Sequence, residues 1–279
     1  LNKHHIQIII FFHSTHNPNN SDKKLTSIVD SLNLCQRLLV HSIDDLNRLK
    51  KIGLVNNVSL FPHPFNDFSG QINDIYNPAF SKSFFYKYRV KRIATYGFCL
   101  PNKGLDKLIF AIKLLKDMKT NVSLTIFSAI YSEEYRYIFD ELIKMTHDLG
   151  VEDFVSINGQ YMSDQDTLRN LSLQDLIVFP YQETTESSSA SVRHGISSLR
   201  PVLVTPSAIF DDCADYLHFL RGFTPEDIAE GIYDWFYDDK NRQEVFKNSL
   251  NKRISNINEL SFIRLAKRLI DMIESLEIN

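Results

Sequence analysis

The chain has 279 residues, 43% of them hydrophobic and 23% charged, with a formal net charge of −3. This is the composition of a folded globular protein long enough for two domains, and its mild acidity argues against nucleic acid as the main partner, because phosphate neutralisation needs a basic face. Cys35, Cys99 and Cys213 are too far apart and too few for a disulfide framework or a zinc site, which points to a reducing, cytoplasmic compartment.

No apolar run approaches the roughly 20 residues of a membrane span, and no signal peptide is recognisable. The chain begins with Leu1 and almost at once enters an apolar run, so it reads as a piece of a longer protein with further domains. Residues 6–12 (IQIIIFF) predict a fully buried strand, followed by His13-Ser14-Thr15-His16 and a loop from Asn17 to Asn20. Ser21 and Asp22 can cap a helix running to about Asn33, with Leu25, Ile28, Val29 and Leu32 on one face. Residues 37–41 are a short strand, Ser42 caps a helix that stops at Gly53, and residues 57–61 are a third strand ended by Pro62-His63-Pro64. Strands alternating with helices at this spacing imply βαβ units and a parallel sheet. Three strands and two helices make half of a usual Rossmann domain, and this half lacks a glycine-rich first turn.

Residues 65–80 follow neither period and are rich in Asn, Asp, Ser and Pro, as in an interdomain linker. Residues 81–92 interleave aromatics with Lys82, Lys87, Arg89, Lys91 and Arg92. Two readings stay open for them: peripheral contact with a membrane or an anionic acceptor, or a solvated face on an aromatic-anchored strap.

A second αβ series follows. Residues 92–96 are a strand leading into Gly97 and a loop to Lys103-Gly104, and 106–116 an amphipathic helix. Strands at 122–127 and 154–157 flank a long helix over 132–149 that Gly150 closes, and a short helix at 164–172 comes next. Residues 175–179 are an apolar run ended by Pro180, the profile of a buried parallel strand, and 201–205 are another. Between them a small-residue helix is expected to open near Ser187, with Ser187, Ser188, Ser189 and Ala190 as its first turn. Free amides and the positive end of the helix dipole there suit an anion such as a diphosphate, although an ordinary serine-capped helix has the same local sequence. After a loop with Phe210-Asp211-Asp212, Thr224-Pro225 opens a further helix, and residues 239–277 are helical.

These segments resemble, in order and spacing, the retaining glycosyltransferases of GT-B architecture (the family-four-like, group 1 type). GFCLPNKGLDKLIFAI resembles their "G…KG…LI.A" segment, LGVEDFVSINGQY their "LGV.D.V.f.G.v", and FPYQETTESSSASVRHGISSLRPVLVT their Glu-x7-Glu segment followed by "G.PVv.t". FFHST and RLLVHSIDDLNRLKKIGLVNNVSLFPHPF are similar to the latter half of the acceptor domain, so the likeness covers residues 6–227. The sequence departs from the pattern twice: the second glutamate falls on His194, and Phe98 stands where a basic residue follows the first-strand glycine.

The resemblance implies an α/β fold of two Rossmann-like domains. A truncated acceptor-side domain would occupy residues 1–66, a linker 67–90, and a nucleotide-sugar-binding domain with terminal helices 91–279. It implies sugar transfer from a nucleotide-sugar donor to a saccharide or lipid-linked acceptor, of the kind used in polysaccharide biosynthesis, with retention of configuration and without metal or other cofactor. Lys103, Gly97, Ser188, Ser189 and Ala190 would hold the diphosphate, with Arg193 as a further source of charge. Glu186 would orient the sugar and His13 touch it. Gly159, Tyr161, Met162 and His194 would contact the nucleoside. Each residue has a plainer alternative: a surface lysine, a carboxylate favoured by a helix dipole, packing histidines. His13, His16, His41 and His63 end neighbouring strands and could converge on a metal, but matched carboxylates are missing from the pattern. The rival readings are a non-enzymatic nucleotide-sugar-binding module of a larger protein, an epimerase or phosphorylase on the same fold, and an unrelated doubly wound nucleotide-binding protein.

Overall fold

The computed structural model describes residues 6–17, 24–66, 89–238 and 240–277. Its strands form two parallel sheets. The first, in the order β1-β2-β3, comprises β1 (Ile9–Phe12), β2 (Arg37–Val40) and β3 (Val58–Leu60). A 3-10 turn at Leu25–Ile28 followed by α1 (Val29–Asn33) joins β1 to β2, and α2 (Ile43–Lys51) joins β2 to β3. The Ser42 hydroxyl accepts the Asp45 N–H at 3.1 Å and so caps α2. Leu38, Leu39 and Val40 of the central strand are fully buried, with Leu32, Leu49 and Leu54 packed around them. β1 departs from expectation: it is an edge strand, and Ile6 and Phe11 are exposed at 52% and 37%. An apolar run reports hydrophobicity, not which sheet position it takes. The expected cap at Ser21 and Asp22 lies outside the described residues.

The second sheet has the order β6-β5-β4-β7-β8-β9. Its strands are β4 (Lys91–Cys99), β5 (Val122–Ile130), β6 (Val155–Asn158), β7 (Leu176–Phe179), β8 (Val202–Val204) and β9 (His218–Phe219). Between them run α3 (Leu105–Asp117), α4 (Arg136–Asp148), α5 (Asp164–Ser172) and α6 (Ala190–Ser197), and after them α7 (Pro225–Tyr233), α8 (Lys240–Glu259) and α9 (Phe262–Glu277). β4 and β5 pair over nine residues, Lys91↔Val122 to Cys99↔Ile130, so both extend past their expected ends. Successive side chains point to opposite faces. Ile93, Leu176 and Val178 join one core with α3 and α7, while Ala94, Ile177 and Phe179 join another with α6. The three cysteines are free and buried.

Asp175, just before β7, accepts the Arg92 N–H at 2.8 Å and pairs with the Arg89 guanidinium, while Lys91 is only 5% exposed. This end of the basic segment is therefore drawn onto the sheet; it is not a solvated face. Lys82, Lys87 and the linker over 67–88 lie outside the described residues. Phe65, 2% exposed, ties the first unit to the second: its N–H donates to Leu260 O at 2.9 Å and its carbonyl accepts from Phe262 N–H at 3.2 Å, at the break between α8 and α9.

Candidate functional site

From β4 the chain runs outward to β5 and β6, then returns to β7 on the other side of β4. Such a reversal opens a crevice beyond the carboxyl ends of the two strands. The β4–α3 and β7–α6 loops meet there, joined by a 2.8 Å bond from Gln182 N–H to Asn102 O. Gly104 has φ +65°, and a Cβ on it would lie 1.9 Å from Pro180 O. Gly97 has φ +144°, and its Cβ would come 2.8 Å from Ser191 Oγ. Glycine at both positions lets the loop close on β7 and on the first turn of α6.

Lys103 projects from this loop. Its Nζ lies 3.4 Å from Glu186 Oε2 and 4.1 Å from the Tyr181 ring centroid, and its side chain is 13% exposed. Burial works against the ammonium, but Tyr181 and the Glu186 carboxylate outweigh it and hold the pKa above the ordinary lysine value. The Tyr181 hydroxyl is 3.5 Å from Ser189 Oγ, so one aromatic residue links the lysine to the start of α6.

That helix begins later than expected. Ser189 is its N-cap, accepting the Val192 N–H at 3.3 Å, and Ala190 is its first residue. Ser187 and Ser188 belong to the preceding loop, and Ser187 is buried near Asp45 of the first unit. Helix geometry leaves the Ala190 and Ser191 amides without intrahelical acceptors. The free amides at this helix start are thus those of Ala190 and Ser191, with Ser189 as cap, and not those of Ser188–Ala190 as expected.

Arg193 is not available to a diphosphate. Its guanidinium, 4% exposed, pairs with Asp212 and donates to Ser189 O at 2.8 Å and His63 O at 3.3 Å, which makes it a strut between the two units. His194 is held in place of making an open ribose contact: its Nδ1 lies 3.1 Å from Ala190 O, and its Nε2 2.7 Å from Asn66 Nδ2 and 3.1 Å from Asp164 Oδ1.

A cavity of about 560 Å³ lies between the units, lined among others by His41, His63, Asp45, Glu186, Asp211 and Asp212. The Ser14 hydroxyl joins the two units by donating to Thr185 O at 2.9 Å. The rings of His13, His41 and His63 do converge, with centroids 5.7 and 5.0 Å apart. His41 and His63 turn Nδ1 to the carbonyls of Phe61 and Pro64, at 3.0 and 3.3 Å. Burial, with Arg193 nearby, drives His63 down to about 3, and burial also lowers His41. His13 is exposed and stands beside His41, outside the set of residues that line the cavity. Among the described residues, no group of three or more His, Cys, Asp or Glu is arranged to hold a metal ion. Burial raises Asp211, with Asp212 and Asp44 adding to it. Burial also opposes ionisation of Asp45, but hydrogen bonds from Ser42 and Thr15, the nearby Ser187 hydroxyl and Arg48 leave its pKa lowered.

The expected nucleoside contacts separate. A Cβ at Gly159 would lie 2.7 Å from the Phe139 ring, so the absence of a side chain there makes room for α4. Met162 Sδ accepts a 3.5 Å bond from Asn170 and is folded onto α5. Tyr161 is 74% exposed and lies near Phe98.

No protein-family model and no curated protein sequence matches the chain. Solved structures do. A glycosyltransferase from Rickettsia africae superposes with TM-score 0.72 at 15% identity, over 97% of this chain and 71% of that one. HepE from Anabaena in complex with UDP-glucose gives 0.71 at 13%, over 96% and 72%. Sucrose-phosphate synthase from Thermosynechococcus elongatus gives 0.74 at 12%, over 99% and 70%. The fold is GT-B.

The crevice brings together some of the residues expected from sequence and some that were not. Lys103, Glu186, Gly97, Ser189 and Ala190 come together; His13, Gly159, Met162 and His194 do not join them. Ser191, Tyr181, Asp45, Asp211 and Asp212 carry no local motif; Ser191 and Tyr181 are placed by the meeting of the β4–α3 and β7–α6 loops, and Asp45, Asp211 and Asp212 by the cavity between the two units. Among the described residues, no helix is long and apolar enough to cross a membrane.

Proposed function

We propose that the chain transfers a sugar from a nucleotide-sugar donor to a saccharide or lipid-linked acceptor. The carrying observation is the meeting of Lys103 with Glu186, which lines the cavity between the units, and through Tyr181 with the start of α6. Breaking the anomeric bond of such a donor develops negative charge on the departing diphosphate. The Ala190 and Ser191 amides, the α6 dipole and the Lys103 ammonium supply preorganised positive potential for that charge, so this reading calls on no metal or other cofactor. Glu186, moderately exposed and facing the cavity, accepts hydrogen bonds from sugar hydroxyls and orients the donor. The acceptor hydroxyl attacks from the same face as the leaving group, with retention and without a protein nucleophile. The neutral imidazoles of buried His41 and half-buried His63 border the acceptor side.

HepE binds UDP-glucose, and this is consistent with a nucleotide-sugar donor here. Turnover of a radiolabelled UDP-, GDP- or ADP-sugar, undiminished by EDTA, tests the proposal; strict metal dependence would contradict it. A second reading, a nucleotide-sugar-binding module without turnover, is favoured by the engagement of His194 with Asn66 and Asp164 and by Phe98 in a position expected to be basic. Binding of nucleoside diphosphate without release of sugar would select it.

A further inference from the structure

The cavity between the units carries a charge that its own residues do not balance. Asp44, Asp45, Glu186, Asp211 and Asp212 all line it, and the two arginines that line it are already engaged. Arg48 pairs with Asp44 and, at 3.1 Å, with Asp45. Arg193 pairs with Asp212, and Glu186 has Lys103 at 3.4 Å. Asp211 is left over. Burial pushes its pKa up, and the charges that act on it, Asp212 and Asp44, are of its own sign and push the same way. His41 and His63 do not compensate, because burial keeps both imidazoles below the ordinary histidine value. His16, the third histidine of the lining, is exposed to water, which screens it.

The two sides of the site therefore differ in sign. Lys103 and the free amides at the start of α6 offer positive potential to a diphosphate. The cavity beside them has every lining arginine spent and a carboxylate in excess. A phosphate or carboxylate entering it would give up hydration and meet no free cation, and low-dielectric walls strengthen the repulsion. Sugar hydroxyls meet no such cost, since an ionised carboxylate accepts their hydrogen bonds. Leu60, Pro62 and Phe65 line the same cavity and give it apolar surface for the C–H faces of a sugar ring.

We propose that the acceptor enters this cavity as an uncharged sugar, free of phosphate and carboxylate groups, and that Asp211 selects for it by accepting hydrogen bonds from its hydroxyls and repelling anions. This rests on the sugar-transfer reading above and narrows its acceptor.

The field in the cavity can be measured without knowing the acceptor. Ala208 lines the cavity and is exposed, while the three native cysteines are buried, so Ala208→Cys places one reactive thiol there. At pH 8 and low salt, a methanethiosulfonate reagent bearing trimethylammonium should label it faster than one bearing sulfonate. The ratio of rates should exceed that of a free thiol in solution by about tenfold or more. Adding Asp211→Asn should lower the ratio by about threefold or more. Turnover with matched acceptors, glucose against glucose 6-phosphate and galactose against galacturonate, should favour the neutral member by about tenfold or more in kcat/KM. Asp211→Asn should narrow that preference, chiefly by lowering KM for the anionic member. A labelling ratio equal to that of the free thiol would overturn the proposal and leave the sugar-transfer reading standing, as would an anionic acceptor used as well as its neutral counterpart. If UDP, GDP and ADP all fail to bind in calorimetry, the sugar-transfer reading fails and the acceptor assignment goes with it, whatever the labelling ratio.

Discussion

Lys103→Ala isolates the charge that holds the diphosphate. In the free protein the ammonium is shared with Glu186 at 3.4 Å, and because that carboxylate is 54% exposed, the pair contributes at most about 1 kcal/mol. Toward a unit charge on the ligand about 4 Å away, at an effective dielectric near 20, bare attraction is about 4 kcal/mol. Loss of the Glu186 pairing and of phosphate hydration reduces this to the roughly 1.5–3 kcal/mol of a charge-assisted hydrogen bond. The variant should therefore bind nucleoside diphosphate about 10- to 150-fold more weakly, with nucleoside alone unaffected. Glu186→Gln should act in the opposite direction on UDP, freeing the lysine and tightening binding by up to about fivefold, while lowering turnover of the intact donor. Calorimetry on both variants at two salt concentrations reads these changes. Unchanged affinity in Lys103→Ala would place the loop in solvent and refute the reasoning; so would Glu186→Gln weakening UDP as much as Lys103→Ala does.

Gly104→Ala should cost about 2–3 kcal/mol or more, because a left-handed φ of +65° combines with a Cβ 1.9 Å from Pro180 O; an unmoved urea midpoint would contradict the close packing of the loop. His63, at about 3 when folded and near 6.5 when unfolded, favours the folded state fully above pH 6.5 and progressively less as pH falls toward 3. Between pH 7 and 5 this removes about 2 kcal/mol, and urea titrations of His63→Gln should show a slope flatter by that amount; parallel slopes would mean that His63 is solvated. Arg193→Met leaves Asp212, whose side chain is 7% exposed, buried without its partner, and should cost about 3–5 kcal/mol. Arg193→Met/Asp212→Asn should recover part of that loss, and additive losses in the denaturation midpoints would argue against the pair.

Elements whose limits are set locally were legible in the sequence. The helices α5 and α7 begin where expected, because cap, first-turn acid and apolar spacing coincide: Ser163 accepts the Asp166 N–H and Thr224 forms a capping box with Asp227. The start of α6 was not legible. Three consecutive serines cap equally well on propensity, and the choice falls to Ser189 because Ser187 is buried against Asp45 in the other unit while Gly97 packs on Ser191. Both are contacts across more than 90 positions, invisible to any local pattern. The protein partners of Arg193 and His194 were hidden for the same reason: Asp212, His63, Asn66 and Asp164 come from three separate segments. The convergence of the histidines was readable, since parallel strands bring their carboxyl ends together. That His41 and His63 direct Nδ1 at backbone carbonyls was not. Gly159 looked like a glycine kept for ligand approach, and it makes room for Phe139.

The most direct test of the central claim is a structure of the full chain with a nucleoside diphosphate bound. The pyrophosphate should lie within hydrogen-bond distance of the Ala190 and Ser191 amides, with Lys103 Nζ turned from Glu186 toward it. A nucleotide bound elsewhere, or phosphate oxygens out of reach of those amides, would contradict the assignment of this crevice as a donor site.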